Sequence, residues 1–483
     1  MGLVGILIGL GILVWLSFRG WSVLLLAPVG ALVAALAAGE PLLAHWTQTF
    51  MGSAATFVAQ FFPLFLLGAL FGKLMEDSGS VMAIAKFMTE KLGTRRAILA
   101  VVLAGALVTY GGVSLFVALF VIGPMAQALF RDADIPRRLM PATIALGTFT
   151  FTMTAMPGSP AIQNAIPMPF FGTTPFAAPG LGLIASVIML AFGMWWLGRR
   201  EAAARRAGEG FGSAAASAEA AADSPLVRER ATTASTFDPP EARRGRPGTD
   251  APGILIAAAP LVVVILVNLV MSLVVLPRVD TAFLEEPRWG GITLAAVSGV
   301  WSVIIALFCA IVALVALNRK RLPALRETVD SGANASVLPV LSVASLVGFG
   351  AVVAAMPAFE MVRDWVLNIG GGPLVSLAVS TNILAALTGS ASGGMTIALD
   401  ALGGTYMALA AQTGLDPAIL HRVAVMSAGT LDSLPHNGAV VTLLAVCGST
   451  HKDSYFDIVM AVIVGPIIAL VAVIALAGAF GSF

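Results

Sequence analysis

Charge is scarce in this sequence. Only 11% of the 483 residues are Asp, Glu, Lys or Arg, against about 25% in a soluble domain, which excludes an ordinary globular chain folding in water. Cysteine is scarcer. Cys309 and Cys447 both sit in apolar runs and read as packed thiols rather than a disulfide. Short alternating strands are missing, which excludes an outer-membrane barrel. The net charge of +1 gives no sign of a nucleic-acid partner. No positive n-region precedes the first apolar run, so that run is expected to stay as a span rather than leave as a signal peptide.

What fills the sequence instead is apolar. Hydrophobic residues make up 58% of it, and the mean hydropathy is +0.94. A membrane-crossing helix needs roughly 20 apolar residues. Such runs fall at about 2–18, 21–38, 53–72, 97–130, 139–168, 177–198, 252–276, 290–317, 335–357, 373–412, 418–448 and 455–481. The fold class is an all-α polytopic membrane protein.

Two runs are too long for one simple span. Residues 97–130 as one helix would reach ~51 Å, and the run is broken at Tyr110-Gly111-Gly112 with basic residues at both ends. A segment that starts and ends on one side is a re-entrant hairpin. Residues 373–412 behave likewise, broken at Thr388-Gly389-Ser390-Ala391-Ser392-Gly393-Gly394, without flanking basic clusters.

The positive charges then fix an orientation. Of 27 Lys and Arg, nine lie between Arg199 and Asp250 and 14 more fall in segments on the same side. Only Arg278, Arg288, Arg363 and Arg422 fall elsewhere. Cytoplasmic loops carry such an excess. Residues 1–198 and 252–483 therefore read as two inverted repeats, each of five spans plus one hairpin, joined by a flexible cytoplasmic linker over 199–251. Both termini are expected outside. Gly112 and Gly393, Gly123 and Gly404, and Pro136 and Pro417 match at one constant offset. Amphipathic stretches at Val81–Lys91 and Phe359–Ile369 take equivalent interfacial places.

Irregular backbone survives at membrane depth only when buried or lining a wet cavity. Four breaks qualify: the tips at Thr109–Ser114 and Thr388–Gly394, and proline-interrupted spans at Thr154–Pro160 and Thr430–Gly438. Half-helix N-termini there attract anions, and carbonyl ends suit a cation. The candidate substrate-binding residues are Gly111, Gly112, Ser114, Thr154, Gly158, Ser159, Asn164, Thr388, Ser390, Ser392, Gly393, Thr430, Ser433 and Asn437, with Gln163 beside them. No Lys or Arg lies at a break in the sequence, so an anion would be held by backbone dipoles and hydroxyls. Asp432, His436 and Asp400 are the candidate proton carriers, because intramembrane ionisable groups are costly and usually functional. His421 and His451 are expected near the interfaces.

The run Gly68–Gly79, the tip Leu387–Ser392, Pro157-Gly158 and the stretch Ser427–Gly438 resemble, in order and spacing, the gluconate:proton symporter (GntP-type) permeases. The resemblance implies the ion-transporter superfamily architecture. It implies a homodimer in the bacterial cytoplasmic membrane, with a mobile domain that carries a small organic acid across as an elevator, usually with a proton. No cofactor or metal is implied. Three features depart from the family pattern, one of them the shifted His-Asn pair of the second break, Pro435-His436-Asn437. The first tip reads Gly111-Gly112 where gluconate members place an acidic residue, and Met156-Pro157-Gly158-Ser159 stands where they place a histidine. Fewer polar side chains point to a less hydroxylated monocarboxylate, of the lactate or hydroxybutyrate kind. A sodium-coupled carrier or cation antiporter on the same scaffold is the alternative. Asp432, Ser433 and His436 lie too close in the chain to aim at one another as a hydrolase triad does, and H-E-x-x-H is missing.

Overall fold

The computed structural model describes residues 2–19, 21–212, 228, 238, 251–435 and 437–483. Among them the chain is helical, with no strand.

The first half runs α1 (Gly2–Phe18), α2 (Val23–Ala38), α3 (Leu42–Asp77), α4 (Ser80–Leu92), α5 (Ala97–Tyr110), α6 (Leu115–Asp132), α7 (Met140–Thr148), α8 (Phe151–Thr154), α9 (Ile162–Ala165), α10 (Pro167–Phe171) and α11 (Pro179–Arg206). The second runs α12 (Ile254–Arg278), α13 (Leu294–Arg321), α14 (Leu325–Ala354), α15 (Phe359–Leu367), α16 (Gly372–Thr388), α17 (Ala391–Thr413), α18 (Pro417–Ala428), α19 (Gly438–Val446) and α20 (His451–Phe480). Each half thus has two helices, a long third, a short amphipathic one, a two-armed hairpin, an interrupted span and a long last helix.

Among the described residues, α3, α6, α11, α12, α13, α14 and α20 are long and apolar enough to cross a bilayer. Leu36, Val187, Leu255 and Val471 stand exposed on α2, α11, α12 and α20, a surface that suits lipid rather than water. This is a multi-pass membrane protein. Length alone does not make α6 a span, because α5 and α6 pack on each other across a four-residue tip, as α16 and α17 do across Gly389 and Ser390. The amphipathic α4 meets the hairpin arm at 102°. The bend falls at Gly93, whose φ of +64° is a conformation glycine takes without penalty.

The contacts between halves are reciprocal. Helix α2 packs along α14, and α13 packs along α3. The late part of each interrupted span reaches the other half's hairpin: α10 lies on α17, and α19 lies on α6. Helices α3 and α14 run against each other through the centre. One tie between them is charged. Lys73 Nζ sits 2.8 Å from Asp77 Oδ1, and Thr328 Oγ1 donates to Asp77 Oδ2 at 2.7 Å. Lys73 and Asp77 are both buried, and a buried charge persists only when paired.

Helix α11 continues past residue 198, where the sequence reading begins the linker. Its Ala/Arg/Glu tail favours helix. Arg205 pairs with Glu201 one turn back at 2.7 Å, and Arg200 reaches Asp457 of α20 at 2.8 Å. Asp457 also takes Arg138 at 3.1 Å and the Trp196 indole at 3.0 Å. Trp195, Trp196 and Phe456 stack beside this cluster, as aromatic residues do at a membrane interface. Between 213 and 250 only Arg228 and Asp238 are described, so the rest of the linker expectation lies outside the described residues. Both cysteines are free thiols.

Candidate functional site

Each hairpin tip is bonded to the interrupted span of its own half. At the first tip, Gly112 adopts φ +98°, and a Cβ there would come within 2.8 Å of the Pro160 side chain. Only glycine allows both the turn and this approach. Tyr110 donates to the Pro157 carbonyl at 2.8 Å. Thr109 donates to Thr152 at 3.0 Å. Ser114 caps α6 by accepting from the Phe116 N–H.

Pro157 and Pro160 remove donors from this span, and the freed carbonyls need partners. Asn164 donates to the Ser159 carbonyl at 2.9 Å and to that of Pro175, beyond α10, at 3.1 Å. Asn268, reaching in from α12, donates to Gly158 at 3.0 Å. Between tip and break lies a cavity of about 40 Å³, lined by Thr109, Gly112, Ser114, Met153, Ala161 and Gln163 among others.

The second tip repeats the plan with other residues. Ser390 caps α17 by accepting from Gly393 N–H at 3.1 Å, and Ser392 lies 3.3 Å from Ser390 Oγ. Thr388 turns its hydroxyl onto its own helix end. Asn437 donates to the Gly389 carbonyl at 2.8 Å and caps α19 through Ala439. Thr430 bonds Asn382 of α16. Ser433 donates to Asp432 at 3.2 Å. His436 lies outside the described residues.

The two interrupted spans meet. A Cβ on Gly429 would stand 2.4 Å from the Thr154 side chain. Over this contact lies Arg422 of α18, fully buried. It donates to the Thr154 carbonyl at 3.3 Å and to the Ala177 carbonyl at 2.7 and 3.2 Å. The expectation that no cation lies at a break is therefore corrected. Arg422 lies just before the second break but 268 residues from Thr154 in the first, and the crossing of α18 over α8 brings it there.

His421, expected at the interface, is also fully buried. It shares hydrogen bonds with Thr173 at 2.6 Å and Asn164 at 3.1 Å. Its placement follows from the same crossing. His451 does lie exposed, against the Pro435 carbonyl at 2.7 Å.

Thus Gly111, Gly112, Ser114, Thr154, Gly158, Ser159 and Asn164 gather around the first tip, and Thr388, Ser390, Ser392, Gly393, Thr430, Asp432, Ser433 and Asn437 around the second. Asp400 stands apart from both. It faces a cavity of about 300 Å³ between α17 and α3, with Gln48, Ser53, Thr56, Gln60 and Thr396. Sequence reasoning missed Asn268, Arg422 and the pairing roles of His421. A residue's apolar surroundings in the chain say nothing of a partner hundreds of residues away.

Comparison with known proteins gives the chain's relatives. Residues 1–174 match the model of the GntP family permease. An uncharacterized transporter, YxjC of Bacillus subtilis, is 40% identical over 487 residues, covering 99% of this chain and 100% of that protein. An uncharacterized transporter of Haemophilus influenzae is 31% identical over 128 residues, 26% of this chain and 28% of its own.

Proposed function

This chain belongs to the GntP family of permeases, and from that premise we propose that it is a secondary carrier for a small organic monocarboxylate, of the lactate or hydroxybutyrate kind. The reading adds symport with a proton and an elevator motion of the hairpins and interrupted spans against α3 and α14. The observation that carries it is the crossing of the two interrupted spans at Thr154 and Gly429 under the buried charge of Arg422. An isolated buried cation is costly. An anion brought into its field relieves that cost, and the capped helix N-termini at both tips favour the same sign.

The reciprocal packing of α2 on α14 and α13 on α3 supports an inverted repeat, with the hairpins entering from opposite faces. Asp432, in the second interruption beside Ser433, is the favoured proton carrier. The cytoplasmic membrane, a homodimer and external termini complete the proposal.

Uptake of labelled lactate, 3-hydroxybutyrate and gluconate into proteoliposomes tests it. An inward proton gradient should drive accumulation of the short acids. A sodium gradient that suffices without one would favour the sodium-coupled alternative. Gluconate outcompeting the short acids would overturn the substrate assignment.

A further inference from the structure

Asp400 belongs to neither tip and neither interruption. It lies exposed on α17, and opposite it α3 carries a polar stripe. Gln48, Gly52, Thr56 and Gln60 recur every fourth residue, with Thr49 and Ser53 beside them. That spacing keeps them on one helix face, over about 18 Å at 1.5 Å per residue. The stripe begins in a π-helical turn, His45–Phe50, a distortion frequent at functional sites. The cavity of about 300 Å³ separates the stripe from Asp400.

The wall of this cavity offers oxygens that accept. The Thr56 hydroxyl donates to the Gly52 carbonyl at 2.9 Å, and that of Thr396 to the Ser392 carbonyl at 2.7 Å. Each hydroxyl proton is thereby committed, and the lone pairs remain. The Asp400 carboxylate enters no hydrogen bond or ion pair among the described residues, and no Lys, Arg or His is among those lining the cavity. A carboxylate between membrane helices without a counter-charge is costly, and a cation offsets that cost. One negative charge among neutral oxygens suits a hard monovalent ion, because a calcium site gathers several carboxylates. Among the described residues no three of His, Cys, Asp or Glu come together to hold a metal.

We propose that this cavity binds a monovalent metal cation, sodium or potassium, on the Asp400 carboxylate, with oxygens of Thr396 and of the α3 stripe completing its shell. The volume admits the ion with part of its water. An ion shared by α17 and α3 cannot travel with the hairpins in the motion proposed above. It favours the arrangement in which the two helices meet.

The test is equilibrium binding of radiolabelled sodium to the purified full chain in detergent, with choline chloride holding the ionic strength constant. Wild type should bind it saturably, and unlabelled sodium or potassium should displace it. Asp400→Asn removes the charge at equal size and should weaken binding at least about tenfold. Thr396→Val and Thr56→Val each remove an acceptor at equal volume and should weaken it about threefold. These two carry the test if the Asn variant does not fold.

Wild-type affinity in folded Asp400→Asn, or in both valine variants, overturns the site. So does a wild type that binds no sodium saturably, or one from which calcium or magnesium displaces sodium at lower concentration than potassium does. No gradient and no substrate enter the measurement, so its failure leaves the carrier reading standing.

Discussion

The Arg422 guanidinium donates to the Thr154 carbonyl at 3.3 Å across 268 residues of chain. That one contact joins the interrupted span of one half to that of the other. It also sets a positive charge where both backbones are irregular.

Arg422→Gln should therefore cost both folding and transport. It leaves the Thr154 and Ala177 carbonyls short of donors, at about 1–3 kcal/mol for each buried group. Arg422→Lys keeps the charge but not the planar fork that reaches two carbonyls at once, and it should fall between. Thermal melts in detergent, paired with uptake per folded molecule, separate the two losses. A Gln variant as stable and active as wild type would remove Arg422 from the account.

Gly112→Ala should be damaging out of proportion to one methyl group. The residue holds φ +98°, and its Cβ would meet Pro160 at 2.8 Å, so a loss of about 1–3 kcal/mol is expected. Gly404→Ala is the control, since nothing lies within 4 Å of a Cβ there and alanine favours helix. Melting temperatures of the two variants should move in opposite directions.

Asp432→Asn should flatten the pH dependence of uptake. A carboxyl that carries the coupling proton makes uptake rise as external pH falls, and an amide cannot take up that proton. Initial rates between pH 5.5 and 8 measure this. A rise with acidity as steep as wild type would clear Asp432 of the role and turn attention to Asp400, which faces the cavity beside Gln60 and Thr396.

Much of this organisation was legible in the sequence, for physical reasons. A 34-residue apolar run cannot be one straight span, and paired glycines mark where it turns, so Tyr110-Gly111-Gly112 located the first tip. Pro157, Pro160 and Pro435 marked the interruptions because proline removes a backbone donor wherever it stands. Local composition could not show which distant groups would repair those interruptions. Asn268 looks like any polar residue in an apolar helix until its amide is found on the Gly158 carbonyl. Arg422 was only one of four positive charges off the basic side, because its burial comes from α8 and α11, not from its neighbours in the chain. The helical tail of α11 was hidden for the opposite reason. Its Ala/Arg/Glu composition suits solvent, and its anchor is Asp457, far along the sequence.

The most direct measurement is of the hairpins' two mouths. With Cys309 and Cys447 replaced by serine, single cysteines at the exposed positions Thr94, Asp132, Asn368 and Gln412 can be labelled from either side with an impermeant maleimide. Hairpins entering from opposite faces require Thr94 and Asp132 to react only from the cytoplasm, and Asn368 and Gln412 only from outside. Labelling of Thr94 and Asp132 from different sides, or of all four positions from one side, would contradict the carrier architecture.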